Sequence, residues 1–277
     1  TLSRTLIPTL PPNYLSRKSL FALLENSSPS TTVVIAPAGY GKTSLVAEWA
    51  LAQRERVIWL TIAESDSLED MSTLFIQATR NILPGFAPWF ESEAGMRPIE
   101  IVRRWGNELL ATNKDYIFVI DNLRQNTNRD VDIASRLVEQ FPKNVQFVSI
   151  RRDALETVYA TFSSRGALSV ITAADLQFSE TEIATLAAMH KIPIEDYAIR
   201  QSLDGAHGWP AAVSMLVHQI EKNKKPIDFE KLASSQSDPL RALASSVIDS
   251  LDMQTRSLIT SLAVVQEFTH EMAEVIL

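Results

Sequence analysis

Residues Ala36 to Thr43 read Ala-Pro-Ala-Gly-Tyr-Gly-Lys-Thr, followed by Ser44. Two glycines, a lysine and two hydroxyls at this spacing suit the capture of a polyanion. Gly39 and Gly41 let the backbone wrap a phosphate with successive N–H groups, and a helix starting at Lys42 would aim the positive end of its dipole at the same point. Lys42 would reach the β- and γ-phosphates, and the Thr43 hydroxyl would ligate Mg²⁺. Pro37, Ala38 and Tyr40 complete the loop that would cradle the nucleotide. The pattern wants Gly at position 36 and finds Ala, which requires a negative φ there. An ordinary glycine-rich strand-to-helix turn is the alternative reading.

A second acidic element lies downstream. Tyr116 to Asp121 reads Tyr-Ile-Phe-Val-Ile-Asp, an apolar strand ending in a carboxylate. Asp121 would hold Mg²⁺ on the side opposite Thr43; otherwise it is a turn or cap residue. The next position, where many ATPases carry the carboxylate that activates water, is Asn122. An amide orients a water but cannot take its proton, so weak or absent hydrolysis is expected unless Glu64 or Asp66 serves. Those two acids read equally well as a solvated acidic loop. A fourth apolar run ends at Ile150 and is followed by Arg151-Arg152. A guanidinium there would pair with the γ-phosphate and sense its presence, or else cap carbonyls and pair with surface acids.

These residues need a scaffold. Strand-like runs recur at Thr32–Ile35, Val57–Thr61, Tyr116–Ile120, Val145–Ile150 and Leu168–Ile171, separated by helical periodicity. Strands alternating with helices predict an α/β fold with a five-stranded parallel sheet covered on both faces. Leu68, Met71, Leu74, Phe75, Ala78 and Ile82 share one helical face, as do Ile101, Val102, Trp105 and Leu109. A helix is predicted from Lys42 to Arg54, and Pro84-Gly85-Phe86-Ala87-Pro88 reads as a surface loop. After Ile171 the strand signal ends. A Ser179/Glu182 capping box opens a helix through Met189, a second helix runs from about Glu195 to Leu203, and a third starts at Trp209-Pro210. The expected organisation is a nucleotide-binding domain over 1–172, a small all-α domain over 173–225, and over 226–277 a linker with further helical periodicity.

The 277 residues are 45% apolar and carry a net charge of −7, which opposes direct gripping of nucleic acid by this segment. No apolar run approaches the ~20 residues of a membrane span, and the N-terminus has no signal-peptide pattern. A cytoplasmic protein with no membrane partner is therefore expected. The absence of cysteine excludes disulfide and thiolate chemistry, and the four histidines are scattered. The chain opens at Thr1 and stops at Leu277 inside a helical pattern, so a longer parent protein is expected.

Taken together, the motifs resemble the nucleotide-binding region of the signal-transduction ATPases with numerous domains (STAND), in particular the MalT-type branch of LuxR-family transcription regulators. Pro37-Ala38-Gly39-Tyr40-Gly41-Lys42-Thr43 is close to that branch's loop, which also tends to lack the first Gly. Leu6-Ile7-Pro8 through Leu15-Ser16-Arg17-Lys18-Ser19-Leu20 is similar to the family's lead-in segment, and the resemblance implies that Arg17 lies at the nucleotide. Gly208-Trp209-Pro210 stands where the family folds a Gly-x-Pro element over the base, which implies a base contact for Pro210; Trp209 could equally be core. Arg152 aligns with the sensor arginine better than Arg151 does. Leu240–Leu277 resembles the start of a winged-helix-like domain.

What the resemblance implies is an ATP/ADP and Mg²⁺ switch. Nucleotide state would set the domain arrangement, the ATP state would favour self-association, and DNA would be bound only through regions absent from this segment. The alternative is an AAA+-type remodelling ATPase with continuous turnover, which needs the carboxylate that Asn122 replaces. A small-molecule kinase would need an Arg-rich lid, and nothing between Ile171 and Leu277 has that composition.

Overall fold

The computed structural model describes residues 2–25, 31–63, 65–93, 95–122, 141–152 and 168–227, with 245, 256 and 257. Five strands form a single sheet: β1 Thr31–Ile35, β2 Val57–Thr61, β3 Tyr116–Asp121, β4 Val145–Arg151 and β5 Leu168–Ile171. Their order is β2-β3-β4-β1-β5, every pairing is parallel, and β1 and β3 are buried along their whole length. Strands covered on both faces are mostly apolar, which is why they read as runs rich in Val, Ile and aromatic residues. The register aligns Thr61 with Asp121, Asp121 with Ile150, and Ile35 with Arg151. The ends of β1 to β4 therefore form one row at the carboxyl edge. The chain leaves β1 toward one side of the sheet and later returns to its other side, so a crevice opens at that edge, where ligands bind in sheets of this kind.

Alternation of side chains sends two sets of residues to opposite faces. One face carries α3 (Leu68–Arg80) and α4 (Pro98–Ala111), where Phe75, Trp105, Phe118, Phe141 and Phe147 make a cluster of edge-on and tilted rings. Trp105 is fully buried and donates its indole N–H to Thr79 at 2.7 Å, so the ring brings its polar atom in with a partner. The short helix α1 (Phe21–Glu25) and α2 (Lys42–Leu51) cover the other face, with Leu45, Val46 and Trp49 against Val34, Trp59, Ile117, Val119 and Val148. Helix α2 stops at Leu51 rather than Arg54, because a separate 3-10 turn, Arg54–Arg56, leads into β2.

The segment expected to be a surface loop is partly core. Phe86, Ala87 and Trp89 are buried against α4, and Glu108 accepts from the Ala87 N–H and the Trp89 indole. Pro and Gly mark where the backbone turns, whereas burial depends on what the turn then faces.

Four helices follow β5: α5 (Ala173–Leu176), α6 (Glu180–Met189), α7 (Tyr197–Asp204) and α8 (Pro210–Asn223). The Ser179 hydroxyl accepts from the Glu182 N–H while the Glu182 carboxylate accepts from the Ser179 N–H, the reciprocal cap read from the sequence. Asp196 caps α7, which delays its start to Tyr197, and Pro210 occupies the first turn of α8. Leu186, Leu203, Val213, Leu216 and Val217 form a separate core. The winged-helix-like reading of 240–277 lies outside the described residues, apart from 245, 256 and 257. Among the described residues, no helix is long and apolar enough to cross a membrane.

Candidate functional site

The loop between β1 and α2 adopts positive φ at Gly39 (80°) and Gly41 (72°), the conformations that glycine takes without penalty. Gly41 precedes the first residue of α2, so the loop delivers the chain directly into a helix N-terminus. Lys42 is only 8% exposed, and its Nζ donates to the Ala36 carbonyl at 2.7 Å and the Pro37 carbonyl at 2.8 Å. The next two carbonyls are taken by α8. Trp209 Nε1–H donates to Ala38 O at 3.2 Å, and the Ala211 N–H donates to Gly39 O at 3.0 Å. Four consecutive carbonyls thus point into the protein, two toward Lys42 and two toward the helical region.

Beside the loop lies a cavity of about 420 Å³, lined by Gly39, Lys42, Thr43, Ser44, Thr61, Asp121, Asn122, Arg151 and Arg152 among others. The Thr43 hydroxyl lies 3.2 and 3.1 Å from the two Asp121 carboxylate oxygens. Burial raises the Asp121 carboxyl above the usual carboxylate range, opposed by Thr43, the Asn122 N–H, Lys42 and Arg152. Lys42 is pushed down to about 8 by burial and then by Arg152, against the attraction of Asp121. Both buried groups are poised for a charged guest: an anion would relieve Lys42, and a cation would relieve Asp121. One hydroxyl and one carboxylate, both hard oxygens at the edge of an open cavity, fit Mg²⁺, which keeps most of its shell as water and phosphate oxygen.

Not every residue predicted for the site reaches it. Asp66 is tied elsewhere: its carboxylate pairs with Arg4 and accepts the Ala63 N–H at 2.7 Å, and it does not line the cavity. Arg17 is likewise committed. Its guanidinium donates to Glu182 at 2.6 Å and to the carbonyls of Leu176 at 2.8 Å and Gln177 at 3.0 Å, and it stacks over Phe178. The structure therefore places Arg17 between the lead-in segment and the helical region rather than on the cavity wall. Pro210 is buried at the start of α8, one residue from the amide that meets Gly39. Pro37 and Tyr40 belong to the loop without lining the cavity, and Glu64 lies outside the described residues.

Asn122 lines the cavity at φ 64°, with its side-chain NH₂ donating to Ile62 O at 3.0 Å. Asparagine tolerates that left-handed conformation better than most residues, and its amide clips the end of β3 to the loop after β2. Thr61, which lines the cavity, and Ala211, whose N–H meets the Gly39 carbonyl, had no part in the sequence reading of the site. The apolar run of β2 gave no reason to single out its last residue, and an N–H donor leaves no sequence signature.

No protein-family model matches the chain. Among solved structures it is similar to a STAND protein with a tetratricopeptide-repeat sensor from Pyrococcus horikoshii, at 14% identity and a TM-score of 0.57 over 98% of this chain. The match takes in 37% of that protein, so the chain spans just over a third of its length. It also matches Cdc6p from Pyrobaculum aerophilum, at 13% identity and a TM-score of 0.49 over 99% of this chain and 81% of that one. The Aeropyrum pernix ORC2 protein follows at 14% identity and 0.47, over 97% of this chain and 86% of that one. The fold is that of a P-loop NTPase: a five-stranded parallel sheet between helices, with a phosphate-binding loop after its first strand.

Proposed function

We propose that this chain is the ATP/ADP-binding switch module of a signal-transducing regulator of the STAND class, of the MalT-like LuxR-family branch. The observation that carries the reading is the attachment of α8 to the phosphate-binding loop itself, through Ala211 to Gly39 and Trp209 to Ala38. A ligand that reshapes the loop acts on the helical region with no intervening element. That is the coupling a switch requires, because a ligand shifts a conformational equilibrium only through contacts that differ between its states.

In this reading the loop amides and Lys42 take the phosphates, with Lys42 exchanging the Ala36 and Pro37 carbonyls for phosphate oxygens. Thr43 and Asp121 hold Mg²⁺, which when bound neutralises phosphate charge. Arg152, just beyond β4, meets the γ-phosphate and distinguishes ATP from ADP. ADP favours a closed resting arrangement and ATP an open one able to self-associate; DNA contacts belong to regions outside this chain.

Hydrolysis is weak or absent in this proposal. Among the described residues Asp121 is the one carboxylate lining the cavity, and it faces Thr43. Asn122 donates its amide to Ile62, and Asp66 is bound by Arg4. Continuous turnover of the AAA+ remodelling kind lacks a base in this set.

The test is to incubate the protein with Mg·ATP, remove free nucleotide, denature, and identify what stayed bound. Stoichiometric retained ATP is expected, with none in Lys42→Ala. Rapid conversion to ADP would replace the switch by a turnover enzyme, and undiminished binding in Lys42→Ala would refute the site.

A further inference from the structure

Thr61 ends β2, is half-buried, and lines the nucleotide cavity. The parallel register pairs its Cα with that of Asp121 on the neighbouring strand. Partners in a parallel ladder project to the same face. Thr61 follows Val57 and Trp59 toward the α2 side, and Asp121 follows Ile117 and Val119 there. The Thr61 hydroxyl therefore stands beside the Asp121 carboxylate, in the row that also meets Thr43.

Two contacts fix that residue. Arg4 Nε donates to the Thr61 carbonyl at 3.0 Å, holding the strand end, and the indole N–H of Trp59 donates to Thr61 Oγ1 at 3.0 Å. Trp59 is 1% exposed, so the donor is immobile. A threonine hydroxyl has one proton and two lone pairs, and the indole occupies one lone pair. The proton and the second lone pair remain for the cavity.

We propose that Thr61 is an outer-sphere residue of the divalent-cation site, accepting a hydrogen bond from a water of the ion's shell and fixing that water beside Asp121. Thr61 adds no charge. It sets the position of the hydrated ion, and Trp59 is the positioning residue that aims it. This rests on the nucleotide-binding reading above.

The test measures binding of a ribose-labelled fluorescent ATP analogue, with Mg²⁺ and with EDTA, to the wild-type protein, Thr61→Val, Thr61→Ser and Lys42→Ala. Loss of one hydrogen bond to an ordered water is expected to weaken Mg²⁺-dependent binding by Thr61→Val roughly five-fold and to leave binding in EDTA unchanged. Thr61→Ser should match the wild type in both conditions, and Thr61→Ala stands in for the valine variant should the latter not fold. Equal binding by wild type and Thr61→Val in Mg²⁺ overturns the assignment, as does an equal loss in EDTA, which would make the effect structural. Failure of the wild type to bind, or binding that survives Lys42→Ala, overturns the nucleotide reading and the assignment with it.

Discussion

Gly39 is held on two counts, by its backbone and by its surroundings. A Cβ there would lie 2.7 Å from the Ala211 Cβ and 2.9 Å from Trp209 Nε1, at a φ of 80° that L side chains rarely adopt. Gly41 has a similar φ of 72° but open space around its Cα. In the absence of ligand, Gly41→Ala is expected to lose about 1–2 kcal/mol, the cost of a left-handed backbone. Gly39→Ala is expected to lose clearly more, because a side chain must also push α8 off the loop; urea denaturation of the two variants measures the difference. The left-handed steps at Gly39 and Gly41 and the helix start at Lys42 were legible in the sequence, because a backbone that wraps there admits few residue types. The partners of Asp66 and Arg17 were not legible, for the opposite reason. Charged residues near a motif look available until the fold supplies their partners, and Arg17 finds Glu182 165 positions away. Asn122 was legible as a missing carboxylate, whereas its bond to Ile62 was not.

At the scale of elements, the segment Tyr14–Arg17 joins α2 to α6. Glu48 of α2 accepts from the Ser16 hydroxyl and from the Arg17 N–H, while the Arg17 side chain grips α6 through Glu182. Burial opposes ionisation of Glu182, but the Arg17 guanidinium and the Ser179 cap together hold its carboxyl below the usual range. A depressed folded value means that the grip contributes stability above the ordinary glutamate range and loses it as pH falls through the folded value. Glu182→Gln is therefore expected to be less stable than wild type at neutral pH, with the gap closing below about pH 4; melting temperatures across pH 3–7 test this. The strands themselves were readable to within a residue, since their apolar runs stand out from the helical periodicity between them. The turn at Phe86–Trp89 was not, because its burial comes from Glu108 and α4 rather than from its own composition.

At the scale of the whole molecule, the sheet and the helical region have separate cores but common fastenings at Arg17 and at the phosphate-binding loop. Shared fastenings make unfolding cooperative. Ring fluorescence, dominated by Trp49, Trp59 and Trp105 in the cores on the two faces of the sheet, and far-UV dichroism should trace one urea transition in the wild type. Trp209→Ala removes the bond to Ala38 and part of the packing against the loop, so the helical signal should then be lost first and the two curves should separate. Coincident curves in that variant would mean that Arg17 and the Ala211–Gly39 bond suffice to join the two parts. The row of four loop carbonyls also has a spectroscopic consequence. Ala36 and Pro37 lose their donor when Lys42 turns to a ligand, whereas Ala38 and Gly39 lose theirs only when α8 lifts away. An infrared isotope label at Pro37 would therefore respond to occupancy and one at Gly39 to rearrangement, so two peptide bonds two residues apart would time separately the arrival of the guest and the response of the protein.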